Sequence, residues 1–312
     1  MKRNKTVKLR GAQTGTARFG LGMLMPTMIL RLVMTAYPLI FTLLYSFTDY
    51  NYLRGAENAS FVLFDNYLSL FQNGYFQQAV WNTVLFTILA VVLEMGFGLL
   101  IAVFVNSLKR GQKVMRTLLL LPYLLPAVTV ALSWRMMLSA NYGIINQFLE
   151  FLGLPVFNWF MDTHTAFWTI LVIDVWQNVP FVFLLLYASL QSVSESQYEA
   201  ARIDGAGVLQ QFLYVTLPNI KGSLALCALL RTIDTFRLFE KVNVLTGGGP
   251  AGTTSTITQF LYTYGIESLN FGFGSAGAIV MTVLVMILSS FYIKRAMGKG
   301  KNHDDHLFKR RL

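Results

Sequence analysis

The chain has 312 residues, 54% of them hydrophobic and only 13% charged, against about 25% charged in ordinary soluble domains. That composition excludes a disordered chain, a coiled coil and a single soluble core, and the lone cysteine, Cys227, excludes an intrachain disulfide. A formal charge of +10 would suggest a nucleic-acid partner for a soluble protein; here it points to cytoplasmic membrane loops, and no nucleic acid is expected.

A basic tail, residues 1–18, carries Lys2, Arg3, Lys5, Lys8, Arg10 and Arg18. Six apolar runs follow, each near the ~20 residues that cross a bilayer: Phe19–Phe47, Trp81–Val105, Thr117–Leu138, Ala166–Leu190, Ser223–Leu245 and Phe273–Ile293. The first is too long for a cleaved signal peptide and lacks a small-x-small site. No period-two alternation suggests a barrel. The expected fold is therefore all-α and polytopic, with six transmembrane helices. It divides into the tail, a first span with its outer loop (19–77), a core of five spans (78–293) and a second tail (294–312).

Nineteen of the 25 Lys and Arg residues fall in 1–18, 106–117, 191–222 and 294–312, whereas 48–80, 139–165 and 241–272 carry only Arg54 and Lys241. The first set is expected in the cytoplasm, with both termini. The tails, which end on Lys309, Arg310 and Arg311, read as topology anchors touching anionic lipid. His303-Asp304-Asp305-His306 reads as solvated rather than metal-binding.

Proline at 122, 126 and 180 is expected to kink its helix. Ionisable groups at membrane depth mark function by default. Glu94 lies mid-span and is expected to pair with a neighbouring helix, while Arg135 sits near a span end and can snorkel. Gly272, Gly274, Ser275, Gly277 and Ala278 form a smooth face for close packing of the last span. Trp134, Trp159, Trp168 and Trp176 read as packing or an interfacial belt before sugar stacking.

The chain has no phosphate-cradling G-x-x-x-x-G-K-[ST] segment. Its only glycine run, Gly247-Gly248-Gly249-Pro250, lacks a lysine. No nucleophile elbow, His-Glu-x-x-His or kinase set occurs, and no histidine pair has zinc spacing within a helix. No catalytic residue, metal or cofactor is assigned to this chain. Transport powered by a partner follows more naturally than enzymatic chemistry.

The segment 191–222 is the most informative. Ser194 or Ser196 can cap a helix, with Glu199 in its first turn. Ala200 and Ala201 let another surface approach, Gly205 and Gly207 permit a break, and Pro218 suits the first turn of the next helix. The expectation is a helix–glycine–helix elbow, which is either a plain linker or a docking site. Tyr198, Glu199, Ala200, Ala201, Asp204, Gly205, Leu217 and Pro218 together resemble the EAA motif of ABC importer permeases. Further likeness to the carbohydrate-uptake branch lies in Phe64-Asp65-Asn66-Tyr67, Asp174-Val175-Trp176 and Leu245-Thr246-Gly247-Gly248-Gly249-Pro250. The resemblance implies a type I importer permease similar to the maltose and glycerol-phosphate permeases. It implies a second homologous permease subunit, two cytoplasmic ATPase subunits that consume ATP, an extracytoplasmic solute-binding protein and a carbohydrate substrate. Glu199 would then meet a basic group on the ATPase, and Gly205 would set the elbow's angle.

The rival reading is a stand-alone secondary transporter or channel, whose inverted repeats are not evident. A candidate substrate path comprises Asp174, Trp176, Arg231, Asp234 and Arg237. On a continuous helix Arg231, Asp234, Arg237 and Glu240 form a ladder of alternating sign. Either these charges neutralise one another within a helix contact, or Asp234 and Arg237 face the path.

Overall fold

The computed structural model describes the backbone of residues 10–309 other than 56 and 58, and side chains from 22 to 294 with the same two exceptions. The N-terminal basic residues up to Lys8, the C-terminal residues Arg310 and Arg311, and the side chains of Arg10, Arg18, Lys309 and the 303–306 cluster lie outside the described residues. Helix α1, Arg10–Tyr45, is apolar and nearly all of its described side chains are exposed. Its C-terminal end is clasped by the chain that follows. Tyr67 donates its hydroxyl to Ser46 Oγ at 2.8 Å, and the Asn66 amide donates to the carbonyls of Ser46 and Thr48 at 2.9 and 2.7 Å. The Phe64–Tyr67 segment thus fastens the first span to α2, Asp65–Gln72.

Helix α3, Gly74–Ser107, starts on an Asn73 cap whose Oδ1 accepts the Tyr75 and Phe76 amides at 2.9 and 3.2 Å. Its buried stripe runs Ala79, Thr83, Phe86, Ala90, Glu94, Gly98, Ala102 and Val105, which is helical spacing and one face. That stripe lies against α7, Ala166–Leu190, which is buried around most of its circumference. The Phe86 and Phe167 rings meet at 5.6 Å at one end. At the other end a methyl on Gly98 would come within 2.5 Å of Val182. The two helices therefore run parallel, and this pair is the spine of the chain.

Between them the expected third span is not straight. Helices α4, Gln112–Leu124, and α5, Ala127–Met137, meet at 89°. Pro126 has no amide hydrogen to continue the ladder, and the Pro122 carbonyl takes the Leu125 amide at 3.4 Å instead; at the break the Leu125 carbonyl accepts the Gln177 side-chain amide at 2.8 Å. A short helix, α6, Ile144–Phe151, precedes α7. Among the described residues five helices are long and apolar enough to cross a membrane, or six if the bent pair counts as one span.

After α7 come α8, Glu195–Ile203, and α9, Val208–Gln211. The chain continues through a wide π-helical turn, Phe212–Thr216, into α10, Leu217–Phe236. Helices α11, Glu240–Leu245, and α12, Ile257–Leu261, lead to α13, Phe271–Lys309. Of the small residues expected to pack, Gly272, Gly274 and Gly277 lie close against Thr48, Gly265 and Leu261, whereas Ser275 and Ala278 line a cavity. A Cβ on Gly274 would lie 2.7 Å from Gly265 Cα, and one on Gly265 would lie 2.8 Å from Gly274 Cα, so the two backbones touch.

Candidate functional site

Two regions carry the functional candidates. The first is the elbow. Helix α8 ends where Gly205 adopts φ +78°, a conformation glycine takes without strain. The Ala206 amide donates to the Ala201 carbonyl at 2.9 Å and the Gly205 amide to Arg202 at 3.0 Å, a Schellman closure of the helix end. The Gly207 amide then donates to Gln210 Oε1 at 2.8 Å, opening α9.

Expectation and structure differ at the elbow's start. The Ser194 hydroxyl pairs with that of Ser196 at 2.8 Å and makes no capping bond. Glu195, not Glu199, occupies the first turn. Nor is there a separate second helix. The π-helical turn carries α9 unbroken into α10, where Pro218 takes the second position, directly after the wide turn has already interrupted the regular ladder.

The elbow is braced against the membrane helix. Tyr198 and Thr216 hydroxyls meet at 2.9 Å, and the Asn219 amide donates to Gln197 Oε1 at 2.7 Å. Glu199, Ala200, Asp204 and Gly205 face outward, Ala201 and Leu217 are half-buried, and Ile203 and Val208 are each 87% exposed. The result is a rigid tip carrying charges ringed by apolar side chains, the composition of a surface that partners cover.

The second region is the interior of the fifth span, where only the first rung of the ladder expected from spacing, Arg231–Asp234, forms. Helix α10 stops at Phe236, because Leu238 turns into the core and its carbonyl accepts the hydroxyls of Thr256 and Thr258 at 2.9 and 2.5 Å. Beyond that rung the charges take separate environments. Arg231 is bidentate to Glu94 on α3, with Nε–Oε2 at 2.6 Å and Nη2–Oε1 at 3.1 Å. The side chains of this pair are 5% and 0% exposed. Asp234, 61% exposed, reaches Arg231 only at 3.5 Å. Arg237 lies at the break, exposed, and Glu240 opens α11. Among the described residues neither Arg237 nor Glu240 has an ion-pair partner.

Lys241, which composition assigned to an outer loop, is instead buried on α11 and paired with Asp174 on α7. Asp174 Oδ1 also accepts the Asn178 amide at 2.9 Å. Spacing had no means of finding this partner, because 67 residues separate the two. Trp176 is set apart from the charges, edge-to-face with Trp134 at 5.5 Å, and Arg135 donates to the Val244 carbonyl at 2.8 Å. Trp134, Trp159 and Trp168 line a separate, mostly apolar cavity of about 380 Å³.

Beside the break lies a cavity of about 530 Å³ lined by Thr42, Arg237, Phe239, Glu240, Tyr262 and Ser275 among others. Phe239 and Tyr262 rings stand 5.0 Å apart at its wall. Volume, an aromatic wall and a few polar groups match what small-ligand sites offer. Of the five path candidates, Arg237 lines this cavity, whereas Asp174 and Arg231 are held in buried pairs. The Gly247–Pro250 run turns the chain from α11 toward α12. Thr254 Oγ1 donates to the Gly249 carbonyl at 2.6 Å, and the Asn82 amide of α3 donates to the Gly252 and Ser255 carbonyls at 2.9 and 3.0 Å.

Residues 94–298 match the model of the binding-protein-dependent transport system inner membrane component. The chain is 35% identical over 295 residues to the trehalose/maltose transport system permease protein of Thermococcus litoralis, covering 94% of this chain and 98% of that one. It is 33% identical over 272 residues to the sulfoquinovosyl glycerol transport system permease protein of Agrobacterium fabrum, covering 87% and 88%. Its fold matches a chain of a bacterial ABC transporter involved in the import of the acidic polysaccharide alginate, with a TM-score of 0.80 at 22% identity over 93% and 98% of the two chains. The parallel spine, the bent third span and the braced elbow are thus the fold of a type I importer permease, and the chain belongs to the family of binding-protein-dependent transport-system inner-membrane components.

Proposed function

We propose that this protein is one of two homologous permease subunits of an ATP-driven importer for a sugar or sugar derivative. Two cytoplasmic ATPase subunits supply the energy, and an extracytoplasmic binding protein delivers the solute. The chain itself binds no cofactor in this reading, and both its termini and the elbow face the cytoplasm. The observation that carries the proposal is the elbow: an exposed tip of charged and apolar residues, tied by Tyr198–Thr216 and Asn219–Gln197 to the base of a membrane helix. An ATPase that closes on ATP and grips α8 would move α10 with it, and rigid coupling of this kind yields alternating access.

The substrate class follows from the cavity beside the break and from the relatives that carry trehalose or maltose and sulfoquinovosyl glycerol. Arg237 and Glu240 present donors and acceptors unused by each other, and Phe239 with Tyr262 offers ring faces. Hydroxyl-rich solutes use both kinds of contact.

The test is uptake of radiolabelled trehalose, maltose, sulfoquinovosyl glycerol and glycerol 3-phosphate in cells deleted for this chain and complemented with it. At least one should enter in a binding-protein-dependent and ATP-dependent manner. Uptake that persists without any ATPase partner would favour a stand-alone transporter. Reporter fusions at Gly111, Gly153, Gly207 and Gly252 should read cytoplasmic, outer, cytoplasmic and outer, and an outer signal at Gly207 would remove the docking role.

A further inference from the structure

We infer that the two buried ion pairs, Glu94–Arg231 and Asp174–Lys241, are positioning pairs that hold the break in the fifth span in place and pass elbow movement to the cavity beside it. This inference rests on the reading of α8 as the ATPase contact. The break at 237–239 separates α10 from α11, and one pair secures each side: Arg231 ties α10 to α3, and Lys241 ties α11 to α7. Between the two anchors the chain runs through Arg237 and Phe239, which line the cavity. The cytoplasmic end of α10 is the end braced to the elbow. A displacement of α8 is therefore delivered along α10 to Arg231, and the fixed α11 on the far side turns it into a change at the cavity wall.

The chemistry favours positioning over simple stability. Four charged side chains, each at most 5% exposed, are held where an apolar quartet of similar volume would serve the fold as well or better. Buried pairs of this kind are better attested as register devices than as sources of stability. The cluster also has spare capacity. Asp174 Oδ2 is buried with no partner, and the four charges act on one another, the Glu94 and Asp174 carboxylates repelling while Arg231 favours both and Lys241 favours Glu94 as well as Asp174. The pairs can therefore be remade as α10 shifts, which a saturated pair could not do without loss.

The experiment uses the complete transporter, with its ATPase and binding protein, in proteoliposomes loaded with ATP. Solute uptake per ATP hydrolysed is measured with whichever of the four radiolabelled probes the wild type carries. Two volume-matched neutral variants are compared, Asp174→Asn with Lys241→Met, and Glu94→Gln with Arg231→Met. Both should reach normal folded levels and keep ATP hydrolysis, while uptake per ATP falls about tenfold or more. The charge-keeping variant Arg231→Lys should restore much of it. Normal uptake per ATP in both double variants would overturn the inference. Loss of folded protein in both, with normal uptake per ATP in the fraction that still folds, would also overturn it and leave a purely structural role. Failure of the wild type to couple uptake to ATP would instead defeat the functional reading.

Discussion

The elbow and the broken fifth span are consecutive stretches of one helical run, and both are rich in charge, yet they use charge in opposite ways. At the elbow Glu199, Arg202 and Asp204 stand in water, where a charge adds little to the fold and stays free to meet another molecule. Inside the span Arg231 and Lys241 have lost their water, and each depends on a single carboxylate from another helix. Single substitutions that strand a buried charge in the second region should therefore cost folded protein, and substitutions in the first should cost coupling.

The largest effect is expected from Arg231→Met. It leaves the Glu94 carboxylate, with 0% side-chain exposure, without a partner, a loss of about 3–5 kcal/mol for buried pairs generally. Folded permease, measured by fluorescence-detected chromatography of membrane extracts, should fall to a small fraction of wild type. Adding Glu94→Gln should restore it, since an uncharged pair of similar volume has no stranded charge. A single variant as abundant as wild type would show that Glu94 is not held by Arg231 alone.

The same contrast explains what could be read before the fold was known. The elbow is made by local rules. A left-handed glycine, small residues and a proline at a helix start act within a few positions of one another, so Gly205 and Pro218 were legible. Its tertiary braces, Tyr198–Thr216 and Asn219–Gln197, join residues 18 and 22 positions apart and were not. The interior pairs span 137 and 67 positions. Composition could state that Glu94 needed a partner but could not name Arg231, and it placed Lys241 in a loop. The spacing of Arg231, Asp234, Arg237 and Glu240 suggested a ladder because nothing local announces that Leu238 turns inward and ends the helix. The 89° bend between α4 and α5 was half legible: Pro126 predicts a kink, but not its size, nor the Gln177 side chain of another helix that bonds the Leu125 carbonyl at the break.

An intermediate effect is expected at Gly205. A Cβ there would meet nothing within 4 Å, so φ +78° is the whole constraint. An L-residue in that conformation costs about 1–2 kcal/mol, Asn less because it tolerates the left-handed region, and a β-branched residue more. Uptake should rank Gly205 above Gly205→Asn, then Gly205→Ala, then Gly205→Val, with folded levels nearly level across the series. A rank set by side-chain volume instead of backbone preference, with Asn below Ala, would mean that a partner surface and not the turn limits the site.

The smallest effect on the protein alone, and the sharpest on the comparison, belongs to Glu199→Lys. Glu199 is exposed and makes no ion pair among the described residues. Stability should therefore move by no more than about 0.5 kcal/mol, as for ordinary surface substitutions. If the elbow seats in an ATPase cleft through a basic group, reversing this charge replaces attraction with repulsion at an interface. Such a change acts on association and specificity more than on the fold. Copurification of the ATPase with the permease should drop several-fold, and uptake with it, at unchanged permease level. Raising salt from about 0.05 M to about 0.5 M shrinks the screening length from more than ~10 Å to a few ångströms, so the gap between wild type and variant should narrow. The neutral variant Glu199→Gln should fall between the two at low salt and show a weaker salt response. Salt-independent loss in Glu199→Lys would mean that the added side chain blocks the docking helix by size, whereas unchanged copurification would return the elbow to the role of a linker.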